Sequence, residues 1–452
     1  MKIIIIGCGK VGSTLVEQLS AEGHDIVIVD IQEQKLEAPA NAYDVMTLVG
    51  NGSSFTVQME AGVATADLLI AVTGSDELNL LCCLIAKKAG HCETIARVRN
   101  ALYSKEINFI KEKLGISMII NPELTTATEI AQILRFPSAI KIDTFAKGRA
   151  ELLKFKLKPE LGLDGYRVMD IENKLKCDVL VCAVERGDQV TIPNGNFILK
   201  DYDNVSIMAS PAHTAEFFRK VGVQSHRVKT ALIIGGGKVG YYLAKILIEM
   251  GVRVRIIEQD KERCEQLSGL LPKASIINGD GTDQTLLLEE GLPFAESVIS
   301  LTGLDEENLL LSLFAMKHST AKTIAKVNHI AFNDIISGLD IGSVIYPKYL
   351  TANKIIKYVR GAQNSWGSNV ETLYKILDNR AEALEFAIKQ DCPVAGIPLM
   401  DMNLKDNLLV CCMNRNGSII IPRGQDSFQP GDTVMVVTTN SGLRDISDIV
   451  KK

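Results

Sequence analysis

The 452-residue sequence has no apolar run approaching the roughly 18 to 20 residues that a membrane-spanning helix needs; stretches such as Leu80 to Ala86 stop well short. It has no surplus of positive charge either. With 49 Lys and Arg against 54 Asp and Glu, the formal net charge is -5 and no long basic block appears. General nucleic-acid binding is therefore not expected, because neutralising phosphates draws on Lys and Arg. There is no C-x-x-C pair among the ten cysteines, and Cys82-Cys83 and Cys411-Cys412 lie inside apolar runs. They read as small core residues of a chain kept reduced, not as bridges or metal ligands. The six histidines show no H-x-x-x-H spacing and read as solvated or capping residues, and no G-x-S-x-G elbow is present. The opening run Lys2 to Ile6 is too short for a signal segment and leads into glycines, so it reads as a buried strand.

What the chain has in quantity is apolar side chains, 46% against 23% charged. That composition supports packed cores, and the length implies roughly two to four domains. An internal repeat decides between these numbers. Residues 2 to 12 and 230 to 240 agree at seven of eleven positions. The agreement continues from Ile28-Val29-Asp30 with Ile256-Ile257-Glu258 to Thr73-Gly74-Ser75-Asp76-Glu77-Leu78-Asn79 with Thr302-Gly303-Leu304-Asp305-Glu306-Glu307-Asn308. The halves are duplicated units.

Within each half, six short apolar runs alternate with segments of helical period, the pattern of a parallel α/β sheet. The runs near 2–6, 26–29, 45–49, 68–72, 94–98 and 117–120 are repeated near 231–234, 252–257, 275–277, 298–301, 323–327 and 343–346. A proline-marked helical stretch follows each sixth strand at Pro122 and Pro347. The texture then changes to strands broken by Arg186-Gly187-Asp188, Pro193-Asn194-Gly195, Asn416-Gly417 and Pro430-Gly431-Asp432, which are turn and hairpin signals. The division expected is 1–136 and 226–362 for the doubly wound parallel sheets, and 137–225 and 363–452 for the smaller α+β units.

Gly7-Cys8-Gly9-Lys10-Val11-Gly12 follows a strand and opens a helix, the context that makes a G-x-G-x-x-G motif informative. Gly7 permits the tight turn, Gly9 lets the backbone approach a pyrophosphate and Gly12 lets helix pack on sheet. Gly235-Gly236-Gly237-Lys238-Val239-Gly240 repeats the arrangement. The bland reading, a packing turn with no ligand, is weakened by Asp30 and Glu258, each 23 residues after the first glycine of its motif. An acid there accepts both ribose hydroxyls and repels a 2′-phosphate, so adenosine with free hydroxyls is favoured over the NADP form, and NAD(H), ATP and ADP all qualify. Valine after Lys10 and Lys238 leaves no hydroxyl for magnesium, so this is no hydrolytic P-loop. Asn51 and Asp280 stand where an adenine edge would lie. Thr73-Gly74 and Thr302-Gly303 stand beside the pyrophosphate, and Arg97 and Lys326 are the cations available to phosphate. The alternative for Arg97 is a surface ion pair.

These residues resemble a known family, the RCK or KTN/TrkA-type ligand-binding domains that regulate potassium channels and transporters. The paired glycine motifs, Asp30 and Glu258, and the T-G-x-D-E-x-N segments carry the likeness across the whole chain. The resemblance implies two tandem Rossmann domains, each followed by a TrkA-C-type subdomain, and a regulatory role with no catalysis. It implies a ring of four chains supplying eight repeats, beneath a membrane-embedded potassium transporter of the TrkH type. That places the chain in the cytoplasm, peripheral to the inner face of the membrane. It also implies that the helix after each sixth strand joins neighbouring subunits. Asn51, where aspartate is common in such domains, departs from the pattern. The rival readings are a soluble NAD-dependent oxidoreductase, for which no catalytic set is visible, and a nucleotide sensor for another transporter.

Overall fold

In the first strand, β1 (Lys2–Ile6), alternate residues go to opposite faces of the sheet. Ile3 and Ile5 enter one core cluster, Ile4 and Ile6 another. A strand apolar on both faces must be covered on both, which is the condition of a parallel sheet flanked by helices. β2 (Asp25–Asp30), β3 (Met46–Val49), β4 (Leu68–Ala71), β5 (Glu93–Arg97) and β6 (Met118–Ile120) complete that sheet. The strand order is 3-2-1-4-5-6 and every pairing is parallel. The linking helices are α1 (Lys10–Ala21), α2 (Glu33–Ala42), α3 (Phe55–Glu60), α4 (Asp76–Ala89) and α5 (Ala101–Leu114), and α6 (Pro122–Arg135) follows. The computed structural model describes residues 1–452 except 91, 136–138, 188, 223–227, 329–340, 365–369, 377–379, 441, 444 and 452.

The second half repeats the order with β12 (Thr230–Ile234), β13 (Arg253–Glu258), β14 (Ser275–Asn278), β15 (Ser297–Ser300), β16 (Lys322–Lys326) and β17 (Ser343–Ile345). Its named helices are α9 (Lys238–Glu249), α10 (Lys261–Leu270), α11 (Gln284–Glu289), α12 (Asp305–His318) and α13 (Pro347–Asn364). All twelve expected strands are present. α6 and α13 begin at Pro122 and Pro347, positions where a missing N–H costs nothing.

Between and after these domains lie two five-stranded antiparallel sheets, built from β7 (Ala139–Phe145), β8 (Ala150–Lys156), β9 (Leu180–Arg186), β10 (Gln189–Thr191) and β11 (Asn204–Ala209), and from β18 (Val370–Ile376), β19 (Ala381–Ala387), β20 (Leu408–Arg415), β21 (Ser418–Ile420) and β22 (Thr433–Thr438). The β20–β21 hairpin turns on Asn416 and Gly417, both with positive φ (51° and 89°), the geometry an Asn-Gly pair supplies at little cost. In the first unit, α7 (Val168–Leu175) and α8 (Pro211–Lys220) cover the outer face, where Phe155, Phe217 and Phe218 interlock at centroid distances of 5.3 to 5.7 Å. The inner faces of the two sheets pack on each other, with Leu152, Cys182 and Met208 against Ala383, Cys411 and Met435. Glu185, buried in this interface, meets Lys154 at 2.6 Å and Arg380 of the other half at 2.6 Å.

The two helices after the sixth strands do not stay with their own domains. Ala127, Ile130, Ile133 and Leu134 of α6 are buried in the core around α9 of the second parallel-sheet domain. Ala352, Ile355, Ile356 and Val359 of α13 are buried in the core beside α1 of the first. Asn121 donates to the Tyr242 hydroxyl at 3.1 Å, Tyr358 donates to Glu93 at 3.2 Å, and Arg360 pairs with Glu22. The resemblance had these helices joining neighbouring subunits. In this chain they exchange between its own two halves, because covalent duplication places the partner domain on the same polypeptide.

A second correction concerns His24. The histidines read as solvated or capping residues, yet His24 is not solvated: it is buried, 3.4 Å from the Met1 amine and 3.7 Å from Glu22. The expected breaks at 136/137 and 225/226, together with Asp188, His91, His226 and His329, lie outside the described residues, and the break at 362/363 falls in the last turn of α13. Among the described residues, no helix is long and apolar enough to cross a membrane and no cluster of metal-ligating side chains is present.

Candidate functional site

The site lies where β1, β2 and β4 end, the crevice at which a sheet of this strand order changes direction. Gly7 takes φ +103°, and a Cβ there would stand 2.9 Å from the main-chain nitrogen of Thr73. A Cβ on Gly12 would stand 1.9 Å from the carbonyl oxygen of Gly7. Both positions are closed to any side chain. Gly9 differs, with open space where a Cβ would be, and it caps α1 with no side-chain hydrogen bond. The first amides of α1 therefore face an unobstructed space, and the helix dipole favours an anion there. Gly235 (φ +105°), Gly240 and Gly237 play the same three parts at α9. Lys10 and Lys238 are exposed at the mouths of the clefts, whereas Val11 packs into the core beneath and Val239 packs at its margin.

Asp30 accepts the Cys8 amide at 2.7 Å and the Gln32 amide at 2.9 Å, tying the glycine loop to the end of β2. Glu258 does the same with the amides of Gly236 (2.7 Å) and Asp260 (3.0 Å). A carboxylate has about four lone-pair positions, so each acid keeps acceptors for a vicinal diol. The Cys8 thiol donates to the Lys35 carbonyl at 3.0 Å, and burial, then Asp30, push its pKa up. It is a packing group, not a nucleophile.

Thr73 turns inward. Its amide and hydroxyl both donate to Asn79 Oδ1, at 2.8 and 2.7 Å, while Asn79 Nδ2 reaches the Arg97 carbonyl at 2.8 Å. Asn308 holds Thr302 and Lys326 in the same way, at 2.8, 2.9 and 2.9 Å. The T-G-x-D-E-x-N segment is thus a clamp that fixes the loops after the fourth and fifth strands, and it leaves the main chain at Gly74 and Gly303 to line the cleft. Asn51 spends one oxygen on a turn, accepting from Ser53 N at 3.1 Å and Oγ at 2.9 Å, and remains exposed. Asp280 does likewise with Thr282, whose amide and hydroxyl hold its carboxyl below the usual range.

Arg97 donates to the Thr73 carbonyl. Burial, then Arg99, pulls its guanidinium below the usual range, with Glu123 and Asp76 opposing. Lys326 reaches the Leu301 carbonyl at 3.1 Å, and its pKa falls through burial and through Lys10 of the other half, opposed by Asp305 and Glu123. The two clefts therefore share an electrostatic environment across the crossing helices. Arg99, which sequence reasoning missed, donates to the Gly74 carbonyl and lies 3.7 Å from Asp76. Its position two residues beyond Arg97, past the end of β5, was the signal available. The second half has Asn328 there, bonded to Asp305 at 3.0 Å, so the first cleft carries one more cation. Ile31, beside Asp30 and 69% exposed, also went unnoticed, and Gln259 replaces it in the repeat.

The TrkA-N domain family matches residues 3–122 and 231–347, and the TrkA-C domain family matches 152–222 and 383–451. The chain belongs to the TrkA family. Among relatives, the Trk system potassium uptake protein TrkA homolog 1 of Methanosarcina mazei is 34% identical over 460 residues, covering 100% of both chains. Among solved structures, the GsuK channel superposes with TM-score 0.64 at 16% identity, over 97% of this chain and 77% of that one. The GsuK channel bound to NAD gives TM-score 0.62 at 17% identity, with the same coverage. The duplicated sheets thus correspond to the two TrkA-N matches, and the paired antiparallel sheets to the two TrkA-C matches. Every glycine, acid and cation assigned above falls within a TrkA-N match.

Proposed function

We propose that this chain is the regulatory subunit of a Trk-type potassium uptake system, binding NAD(H) or ATP/ADP in its TrkA-N clefts and gating a membrane-embedded TrkH-type partner. In this reading it works as a homotetrameric ring of eight repeats at the cytoplasmic face of the membrane and catalyses no reaction. Its working units are 1–136, 137–225, 226–362 and 363–452. The observation that carries the reading is the pair of helix N-termini at Gly9 and Gly237, open to an anion and each flanked by an acid held on the glycine loop. The family membership and the names of the relatives support the transport role.

A ligand moves such a ring only if it binds two shapes with different affinity. The cluster of Lys10, Arg97, Glu123 and Lys326 supplies a source of that difference, because it is built from both halves. Added phosphate charge relieves repulsion between the cations in one relative placement of the domains more than in another. A coupling of about 1 to 3 kcal/mol is typical of such linkage.

Calorimetry with NADH, ADP and ATP on the full chain tests this. Arg97→Ala weakens ATP by about tenfold or more and ADP by less, since the triphosphate places extra charge near the guanidinium. No ligand is turned over. Equal affinities in wild type and variant, or steady oxidation of NADH, refute the assignment.

A further inference from the structure

Beneath the crossing of α6 and α13 lies a cavity of about 420 Å³, walled by these helices, the end of α1 and the start of β7. Apolar clusters surround it, yet its lining is charged. α6 contributes Glu129, α13 contributes Lys354, Lys357 and Arg360, α1 contributes Glu22, and β7 contributes Lys141 and Asp143. Most of these are engaged. Arg360 pairs with Glu22, its Nε at 3.1 Å, Lys141 meets Asp143 at 3.1 Å, and Lys357 feels Glu385 of β19. Among the described residues, Glu129 and Lys354 make no hydrogen bond or ion pair. One stands on each crossover helix, facing the same cavity.

Lys141 lies within electrostatic reach of Glu129 but is already paired with Asp143, so this half-buried carboxylate relieves its charge by taking a proton or by acquiring a partner of its own. We propose that Glu129 and Lys354 form a proton-controlled latch between the crossover helices: protonated Glu129 leaves the cavity open, and ionised Glu129 draws Lys354 across and closes it. Lys354 is suited to this, because its long flexible stem can carry the ammonium toward Glu129, whereas Arg360 and Lys141 already pair with Glu22 and Asp143. Burial, then Asp143, pushes the Glu129 carboxyl up to about 7, with Lys141 opposing, so the switch falls near neutral pH. Lys354 is exposed at the cavity's edge, and the part of its side chain that lines the cavity is desolvated enough to lower its pKa. Glu22 would not compete in this range. Although burial raises it, hydrogen bonds from His24 and Arg360 hold it below the usual carboxylate range. Closing the latch would tilt α6, whose first turn carries Glu123 close to Arg97 and Lys326, so it would be felt at both clefts.

The sign follows from linkage. A carboxyl raised in the folded state contributes stability that is complete below its ordinary value of 4.5 and is lost as pH climbs through about 7. A latch repays part of that loss above pH 7, so removing Lys354 must deepen it. The test uses the full-length chain, with melting profiles from about pH 5 to pH 9 for wild type, Glu129→Gln and Lys354→Met. Glu129→Gln is expected to remove the inflection near neutral pH. Lys354→Met should match wild type below about pH 6 and melt roughly 2 to 4 °C lower above pH 7.5. Structures at about pH 6 and pH 8.5 should show Glu129 and Lys354 apart in the first and within about 4 Å in the second. Identical profiles for wild type and Glu129→Gln, or the two groups still apart at high pH, overturn the proposal. None of these readouts requires nucleotide or a membrane partner.

Discussion

Gly9 and Gly12 stand three residues apart, the first capping α1 and the second in its first turn, and are required for different reasons. A Cβ at Gly12 meets the Gly7 carbonyl, whereas a Cβ at Gly9 meets nothing in the protein. Gly12→Ala should therefore destabilise the fold by about 1 to 3 kcal/mol through overpacking. Gly9→Val should melt close to wild type and still lose about tenfold or more in nucleotide affinity, because the side chain fills the space the anion needs. Thermal melts alongside calorimetry separate the two, and a Gly9→Val protein that binds normally would remove the phosphate role from this loop. At this scale the sequence was readable wherever a residue's role follows from its immediate neighbours. Asp30 and Glu258 end their strands where spacing put them, and each accepts a hydrogen bond from its glycine loop. Thr73 was not readable in that way. Whether its hydroxyl points at ligand or at Asn79 depends on a side chain six residues away, across a loop whose path no local pattern specifies.

Helices α6 and α13 show the same division one level up. Their existence, their proline starts and their apolar stripes follow from helical periodicity. Their partners do not, because a stripe of isoleucine, leucine and alanine is complementary to either parallel-sheet domain. Ile355 on α13 is fully buried against the first domain although it belongs to the second half of the sequence. Ile355→Ala should cost about 2 to 5 kcal/mol, the range for large-to-small changes in a packed core. The distinguishing result is where the loss appears. Hydrogen exchange should quicken in α1 and β1 of the first half as well as in α13. Faster exchange confined to the second half would show that the crossing does not bear on the first core.

For the whole molecule, exchanged helices mean that neither half is complete alone. A fragment of residues 1–225 would expose the apolar face of α6 and leave the surface beside α1 without α13. Because the halves are repeats, a second copy can supply the missing helix. Light scattering on that fragment should report a dimer, and a stable monomer would contradict the reciprocal packing described above. The chain's local chemistry determined two parallel sheets, their glycine loops and the turns of the smaller units, since each depends on periodicity and backbone freedom over a few residues. Only tertiary structure decided that the halves trade helices, that Lys10 of one cleft lies within electrostatic reach of Lys326 of the other, and that Glu129 faces Lys354 across a charged cavity. Those relations join residues roughly a hundred to three hundred positions apart. Burial and Coulomb interaction depend on distance in space, which periodicity along the chain does not encode.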